Sequence, residues 1–317
     1  MSTGYRSFAT AAGLMHNPEL SPQNCDAGHV QFNVNQVKKK NGFNQVILVP
    51  VDFSEVTENA MLHGLELARR LCCGMCLLHV FEKKTDTILN KEDGRLEKAQ
   101  QELQGYKEKY GLEYQVVLDP LIREGALFKG ISKTITEVRP HLMVMGTHGK
   151  QGLQHLFGSH ALRVVLDAAC TVIVVQNIPF SKGYQRIMLP VNSDADPSGL
   201  IEWVLVMTRL FNSEIHLFQS LELNEELDKH IKKIIGQITG VLTERKISFM
   251  VSTAGLATDF SGQVLGYAEA TAQDMIMTMT MPATDASGYS FSDWNERLMF
   301  NPARIPVMFV EHAGLPG

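Results

Sequence analysis

The residues best suited to chemistry in this chain run from Gly146 to Ser159, GTHGKQGLQHLFGS. They follow the apolar run Leu142-Met143-Val144-Met145 and precede a helical pattern from Ala161 to Ala169. A glycine-rich turn between a buried strand and a helix can aim several backbone N–H groups at a phosphate. Gly146 and Gly149 would let the chain turn and approach a ligand with no Cβ in the way, and Gly158-Ser159 would open the next helix with free N–H donors and a hydroxyl. The same glycines also suit a plain turn.

A second segment adds a complementary group. Val46 to Val51, VILVPV, is a short apolar run ending in Asp52-Phe53-Ser54, after which Ala60, Met61, Leu65, Ala68 and Leu71 fall on one face of a helix. Asp52 therefore sits at a strand's carboxyl end. In an open parallel sheet, ligands bind outside those ends where strand order reverses, and a carboxylate there accepts hydrogen bonds from a base or ribose. One strand end offers a phosphate cradle and the other a group for the nucleoside.

These residues resemble the universal stress proteins, whose nucleotide-binding members carry Gly, two residues, Gly, nine residues, Gly, then Ser or Thr. The opening VPVDFSEVTENAMLHGLELA, the strand Leu77-Leu78-His79-Val80, the segment Val138 to Gly149 and the strand Thr171 to Val175 fall in the family's order. The resemblance implies an α/β fold of Rossmann-like, adenine nucleotide alpha hydrolase-like domains, each a five-stranded parallel sheet of order 3-2-1-4-5 with helices on both faces. It places Asp52 beside Gly146 and implies nucleotide binding by Pro50, Asp52, Ser54, Val80, Gly146, His148, Gly149, Gly158 and Ser159. The ligand implied is ATP or AMP, with Mg accompanying ATP. Between Gly149 and Gly158 the chain has Lys150 to Phe157, a loop one residue shorter than the family's ATP-binding form, which changes which N–H groups point inward.

The remainder reads as a second, eroded copy. Arg186 to Ser193 echoes Val46 to Phe53, Glu214 to Phe218 echoes the strand through Val80, Met275 to Met279 takes the place of the fourth strand and Pro306 to Val310 that of the fifth. A repeat of about 140 residues means duplication of a whole domain rather than a solenoid. Asn192 stands where the first copy has Asp52, and Met279-Thr280-Met281-Pro282-Ala283-Thr284 stands where the glycines should be. Proline donates no N–H and methionines crowd a phosphate, so this half is expected to bind no nucleotide. The expected organisation is an extension over 1–43, a first domain over 44–180 and a degenerate second domain over 184–313.

Composition fits a two-domain globular protein. The chain has 317 residues, 44% hydrophobic and 20% charged, with no run approaching the ~18 apolar residues that span a bilayer. A net charge of −5 gives no electrostatic reason to expect nucleic acid or an anionic membrane as partner. The five cysteines, Cys25, Cys72, Cys73, Cys76 and Cys170, show no framework spacing, which points to a reducing, cytoplasmic setting. Cys73-Gly74-Met75-Cys76 is formally C-x-x-C, but it falls between a helix and a strand, and Gly74 is expected as the helix C-cap.

Other motifs dissolve on spacing. Gly125 to Gly130 begins like a phosphate loop, yet Lys133 and Thr134 arrive two residues late and are expected on a helix surface. His141, His148, His155 and His160 match no zinc spacing. In the extension, Val30, Phe32 and Val34 alternate as an edge-pairing arm would, although a floppy tail fits as well.

Three function classes follow. One is a stress-response protein that binds adenine nucleotide and acts through an unidentified protein partner; another is a nucleotide-independent scaffold. The third is a slow ATPase, for which Ser159, Asp52 and Lys150 are the groups on offer. The resemblance implies self-association through the fifth strands, as an internal pseudo-dimer and in a homodimer, and Thr171 to Val175 and Pro306 to Val310 are apolar runs that would leave a hydrophobic edge if unpaired.

Overall fold

The structure, a computed structural model, describes residues 46–81, 93–147, 158–256, 259–280 and 291–311. The expected arm at Val30 to Val37 lies outside the described residues. The described residues through Phe180 form one compact unit and those from Ser181 onward another.

Five strands make the sheet of the first unit: β1 (Val46–Pro50), β2 (Gly74–Phe81), β3 (Leu118–Glu124), β4 (Leu142–Gly146) and β5 (Thr171–Val175). Their order is β3-β2-β1-β4-β5, with every neighbouring pair parallel. β1, β4 and β5 are buried at every residue. That burial is why they read as unbroken apolar runs, since a parallel sheet is covered on both faces. The helices are α1 (Glu55–Leu71), α2 (Asp93–Tyr114), α3 (Leu127–Val138) and α4 (Gly158–Asp167).

Local chemistry sets the ends of α1. Ser54 caps its start, accepting from the Thr57 N–H at 3.4 Å, and Glu55 and Glu58 lie in the first turn while Arg69 and Arg70 lie in the last, both favourable to the helix dipole. The expected glycine C-cap is corrected: Cys72 takes the left-handed position (φ 52°), and Gly74 instead starts β2 opposite Val46. The Cys73 N–H closes the helix on the Ala68 carbonyl at 3.0 Å. Thr134 is a second correction. It is fully buried in α3 rather than on its surface, its hydroxyl donating to the Gly130 carbonyl at 2.8 Å and accepting from Arg123 Nε at 2.6 Å, while Lys133 is exposed as expected.

The second unit repeats the plan. Its strands are β6 (Arg186–Val191), β7 (Glu214–Gln219), β8 (Phe249–Thr253), β9 (Met275–Met279) and β10 (Val307–Val310), parallel in the order β8-β7-β6-β9-β10. Between them run α5 (Pro197–Phe211), α6 (Glu225–Glu244), α7 (Phe260–Ala270) and α8 (Phe291–Met299). The central register is conserved between the units: Ile47 and Leu48 pair with Leu142 and Met143, and Ile187 and Met188 pair with Met275 and Ile276. The strand after β4 and the strand after β9 are also tied alike, by Thr147 N–H to Val175 O at 2.8 Å and Thr280 N–H to Val310 O at 2.9 Å. Among the described residues no helix is long and apolar enough to cross a membrane.

Candidate functional site

β1 is the switch point of the first sheet, with β2 on one side and β4 on the other. The crevice that such a reversal opens lies beyond the strands' carboxyl ends. Carried forward from Ile47 opposite Leu142, the β1–β4 register brings Asp52 level with Thr147.

Asp52 is held by the helix it precedes. Its Oδ1 accepts from the Ser54 N–H at 3.0 Å and from the Thr57 hydroxyl at 2.8 Å. Both bonds fall on one oxygen, so Oδ2 carries no hydrogen bond among the described residues, and the side chain is half-buried. Phe53 makes this turn in the left-handed region (φ 65°), which costs an L-residue roughly 1–2 kcal/mol. Its ring lies 4.6 Å from that of His79 and 6.1 Å from that of Tyr106, contacts that hold the strained turn in place. His79 in turn bonds through Nδ1 to the Val51 carbonyl at 2.8 Å. Burial, with the Glu58 charge adding to it, pushes the Tyr106 phenol up to about 12, so the hydroxyl stays protonated at neutral pH.

The other end of the crevice is Gly146, the last residue of β4. A Cβ there would stand 2.7 Å from the carbonyl oxygen of Val56 and 3.0 Å from Val56 Cγ1. The glycine is thus required by the first turn of α1, a packing role beside the expected one of admitting a ligand. Thr147 beyond it is fully buried.

The structure therefore brings Pro50, Asp52, Ser54, Val80 and Gly146 to the carboxyl ends of three adjacent strands and the start of α1. Pro50 is buried opposite Leu78, and Val80 is half-buried under Gly130 of α3. Gly158 and Ser159 are the first two residues of α4, where unpaired backbone N–H groups of a first turn lie. His148, Gly149 and Lys150 lie outside the described residues. Two contributors escaped the sequence reading: Thr57, whose hydroxyl orients Asp52, and Phe53, whose backbone makes the turn. The signal for the first was present as Ser54-x-x-Thr57 just before an apolar helical run, an N-terminal capping spacing.

The corresponding place in the second unit is built differently. Asn192 is spent locally, its Oδ1 accepting from the Asp194 N–H at 3.3 Å. Met279 ends β9 where Gly146 ends β4, and it is buried. Gly199 in the first turn of α5 lies beside it, and a Cβ there would meet Met279 Cε at 3.5 Å, an ordinary contact. A methionine side chain thus stands at the strand end where the first unit has none.

The first unit coincides with a match to the Universal stress protein family, residues 44–176. A universal stress protein of Methanocaldococcus jannaschii is 30% identical over 147 residues, which cover 43% of this chain and 86% of the relative. The chain belongs to the universal stress protein family. Over both units the fold is similar to that of a universal stress protein from Archaeoglobus fulgidus, with a TM-score of 0.63 at 14% identity covering 86% of this chain and 98% of that one. A Pseudomonas aeruginosa protein is similar at a TM-score of 0.56 and 12% identity, covering 84% of this chain and 93% of its own. These likenesses concern the fold.

Among the described residues no three His, Cys, Asp or Glu side chains gather to hold a metal ion.

Proposed function

We propose that this universal stress protein binds one adenine nucleotide per chain, at the carboxyl ends of β1 and β4, and acts in the stress response by presenting a nucleotide-dependent surface to a protein partner. The observation that carries the reading is the divided state of Asp52. Oδ1 is fixed by Ser54 and Thr57 while Oδ2 is left for a hydroxyl or amino donor of the ligand. Gly146, the first turn of α4 and the glycines on either side of the β4–α4 connection supply the phosphate end, with Pro50, Val80 and Ser54 as the neighbouring wall. His148 and Gly149 are proposed to shape the cradle.

The second unit is the degenerate copy in this reading. Asn192 has turned its oxygen to its own loop and Met279 fills the strand end, so the unit contributes fold and surface rather than a ligand site. Phosphoryl transfer needs a cation placed at the phosphates, and the proposal stops at binding.

Calorimetric titration with AMP and with ATP tests it. One site per chain is expected, weakened about tenfold or more by Asp52→Ala, since one charge-assisted hydrogen bond is worth ~1.5–3 kcal/mol. Asn192→Ala is expected to leave the isotherm unchanged. No heat at millimolar ligand, or two equivalent sites, would overturn the assignment and favour the scaffold reading.

A further inference from the structure

The outermost strands of the two sheets, β3 and β8, are the corresponding edges of the repeat, and only one of them is guarded. β3 carries Asp119, Pro120, Arg123 and Glu124 along its length. Charge and proline are common means of stopping strand addition. β8 is Phe-Met-Val-Ser-Thr, and the whole stretch from Ile247 to Leu256 has no charged residue and no proline. Among the described residues no strand lies beyond β8 in its sheet.

The side chains on this edge are apolar and open. Met250 is 42% and Val251 43% exposed, and they project to opposite faces of the strand. Leu256, 70% exposed, follows β8, and Leu223, 84% exposed, follows β7, the strand paired with β8. Leu221 in the same β7–α6 connection and Leu227 in the first turn of α6 are exposed too. Among the described residues of the first unit the exposed large apolar ones, Leu96, Leu112 and Val117, are spread along α2 and the approach to β3, with no comparable concentration.

We propose that β8 is a self-association edge, taken up by β8 of a second copy of this chain running antiparallel about a two-fold axis. The occupant follows from the edge's own composition. A two-fold sets each residue between Ile247 and Leu256 against another from the same neutral stretch, so no charge opposes its like, and Arg245 and Lys246 of one copy fall at the uncharged Leu256 end of the other. The pairing satisfies the outward N–H and C=O groups of both strands and covers Met250 and Val251 of both copies. Two short strands fall below the ~800 Å² per partner of a standard interface. Leu256 and Leu223 extend the apolar surface past the strand, so the dimer is weak and concentration-dependent rather than obligate. β8 belongs to the second unit and β1 and β4 to the first, and the proposal does not depend on the nucleotide reading.

Light scattering on the full chain, read over a wide span of concentrations, decides the matter. The wild type is expected to move from the mass of one chain toward that of two, and Val251→Lys and Met250→Lys each to weaken that step at least tenfold with unchanged far-ultraviolet circular dichroism. Because both side chains are exposed, a charged end reaches water in the single chain; should one variant lose its native spectrum, the other decides. A wild type of one-chain mass throughout, or a folded variant that associates as the wild type does, overturns the proposal.

Discussion

Gly146 and Val56 approach so closely that the strand end and the helix start cannot be altered independently: the Val56 carbonyl oxygen lies 2.7 Å from where a Cβ on Gly146 would stand. The obstacle is backbone, which cannot swing aside as a side chain would. Gly146→Ala is expected to destabilise the first unit by ~1–3 kcal/mol, the range for overpacking a filled site. At the corresponding strand end, Met279→Ala should cost the second unit ~2–5 kcal/mol by the opposite route, a cavity beside Gly199. Urea unfolding of each variant measures both, and a neutral Gly146→Ala would show that α1 and β4 are not tightly seated.

In the proposed reading Thr57 would act on the ligand through Asp52. Its hydroxyl donates to Asp52 Oδ1 at 2.8 Å, so Thr57→Val keeps the shape and frees the carboxylate to rotate. Loss of a hydrogen bond to a charged group and of its orienting effect should cost about 1 kcal/mol in stability and weaken AMP binding several-fold, less than Asp52→Ala does. Calorimetry with both variants orders them. Equal losses would mean that Thr57 contacts the ligand itself.

What could be read from the sequence divides along burial. β1, β4, β5, β6 and β9 announce themselves because both faces are covered and each is a run of apolar residues. β3 and β8 do not, because an edge strand is half solvated; Leu-Asp-Pro-Leu-Ile-Arg-Glu and Phe-Met-Val-Ser-Thr lack both a continuous run and a clean alternation. Asp52 was legible as a carboxylate after an apolar strand. The close approach of Gly146 to Val56 was not, because it is a relation across space between residues far apart in the chain. Cys72 shows the limit of turn rules: glycine is the preferred left-handed cap, yet here it lies two residues on, at the start of a strand whose register with β1 is fixed by packing.

The C-x-x-C segment should be chemically quiet. Burial pushes the Cys76 thiol up to about 12, far from the thiolate range in which cysteine attacks or is attacked, and the Cys73 thiol, in a half-exposed residue, is shifted the same way. At pH 8 neither should react with iodoacetamide in the native protein, and both should react at once in denaturant. Peptide mapping by mass reads the two sites separately, and native labelling of either would place it in a more polar setting than the one seen.

Acid should loosen the start of the connection between the units through His63. This ring is buried in α1, with Nε2 3.1 Å from the Ile178 carbonyl and the ring of Phe180 nearly perpendicular to it at 5.1 Å between centroids. Asn59, one helical turn earlier, donates to Asn177 Oδ1 at 2.8 Å, so α1 holds the chain leaving β5 at two points. Desolvation lowers the imidazole to about 4, the bond to Ile178 acting in the opposite direction. The neutral ring is therefore the folded form and its Nε2–H the donor. Above the unfolded value of about 6.5 the ring is neutral in both states and contributes no pH dependence. As pH falls from about 6.5 toward 4 the unfolded chain takes up a proton that the folded chain refuses, so stability declines by up to on the order of 3 kcal/mol and levels off below. His63→Gln removes that slope while retaining a donor. The expected result is a smaller drop in urea midpoint between pH 7 and pH 4.5 for the variant than for the wild type, and faster tryptic cutting after the exposed Lys182 in acidified wild type alone. Parallel pH profiles for the two proteins would mean that His63 titrates normally in the folded chain and that the clamp on Ile178 is not what acid releases.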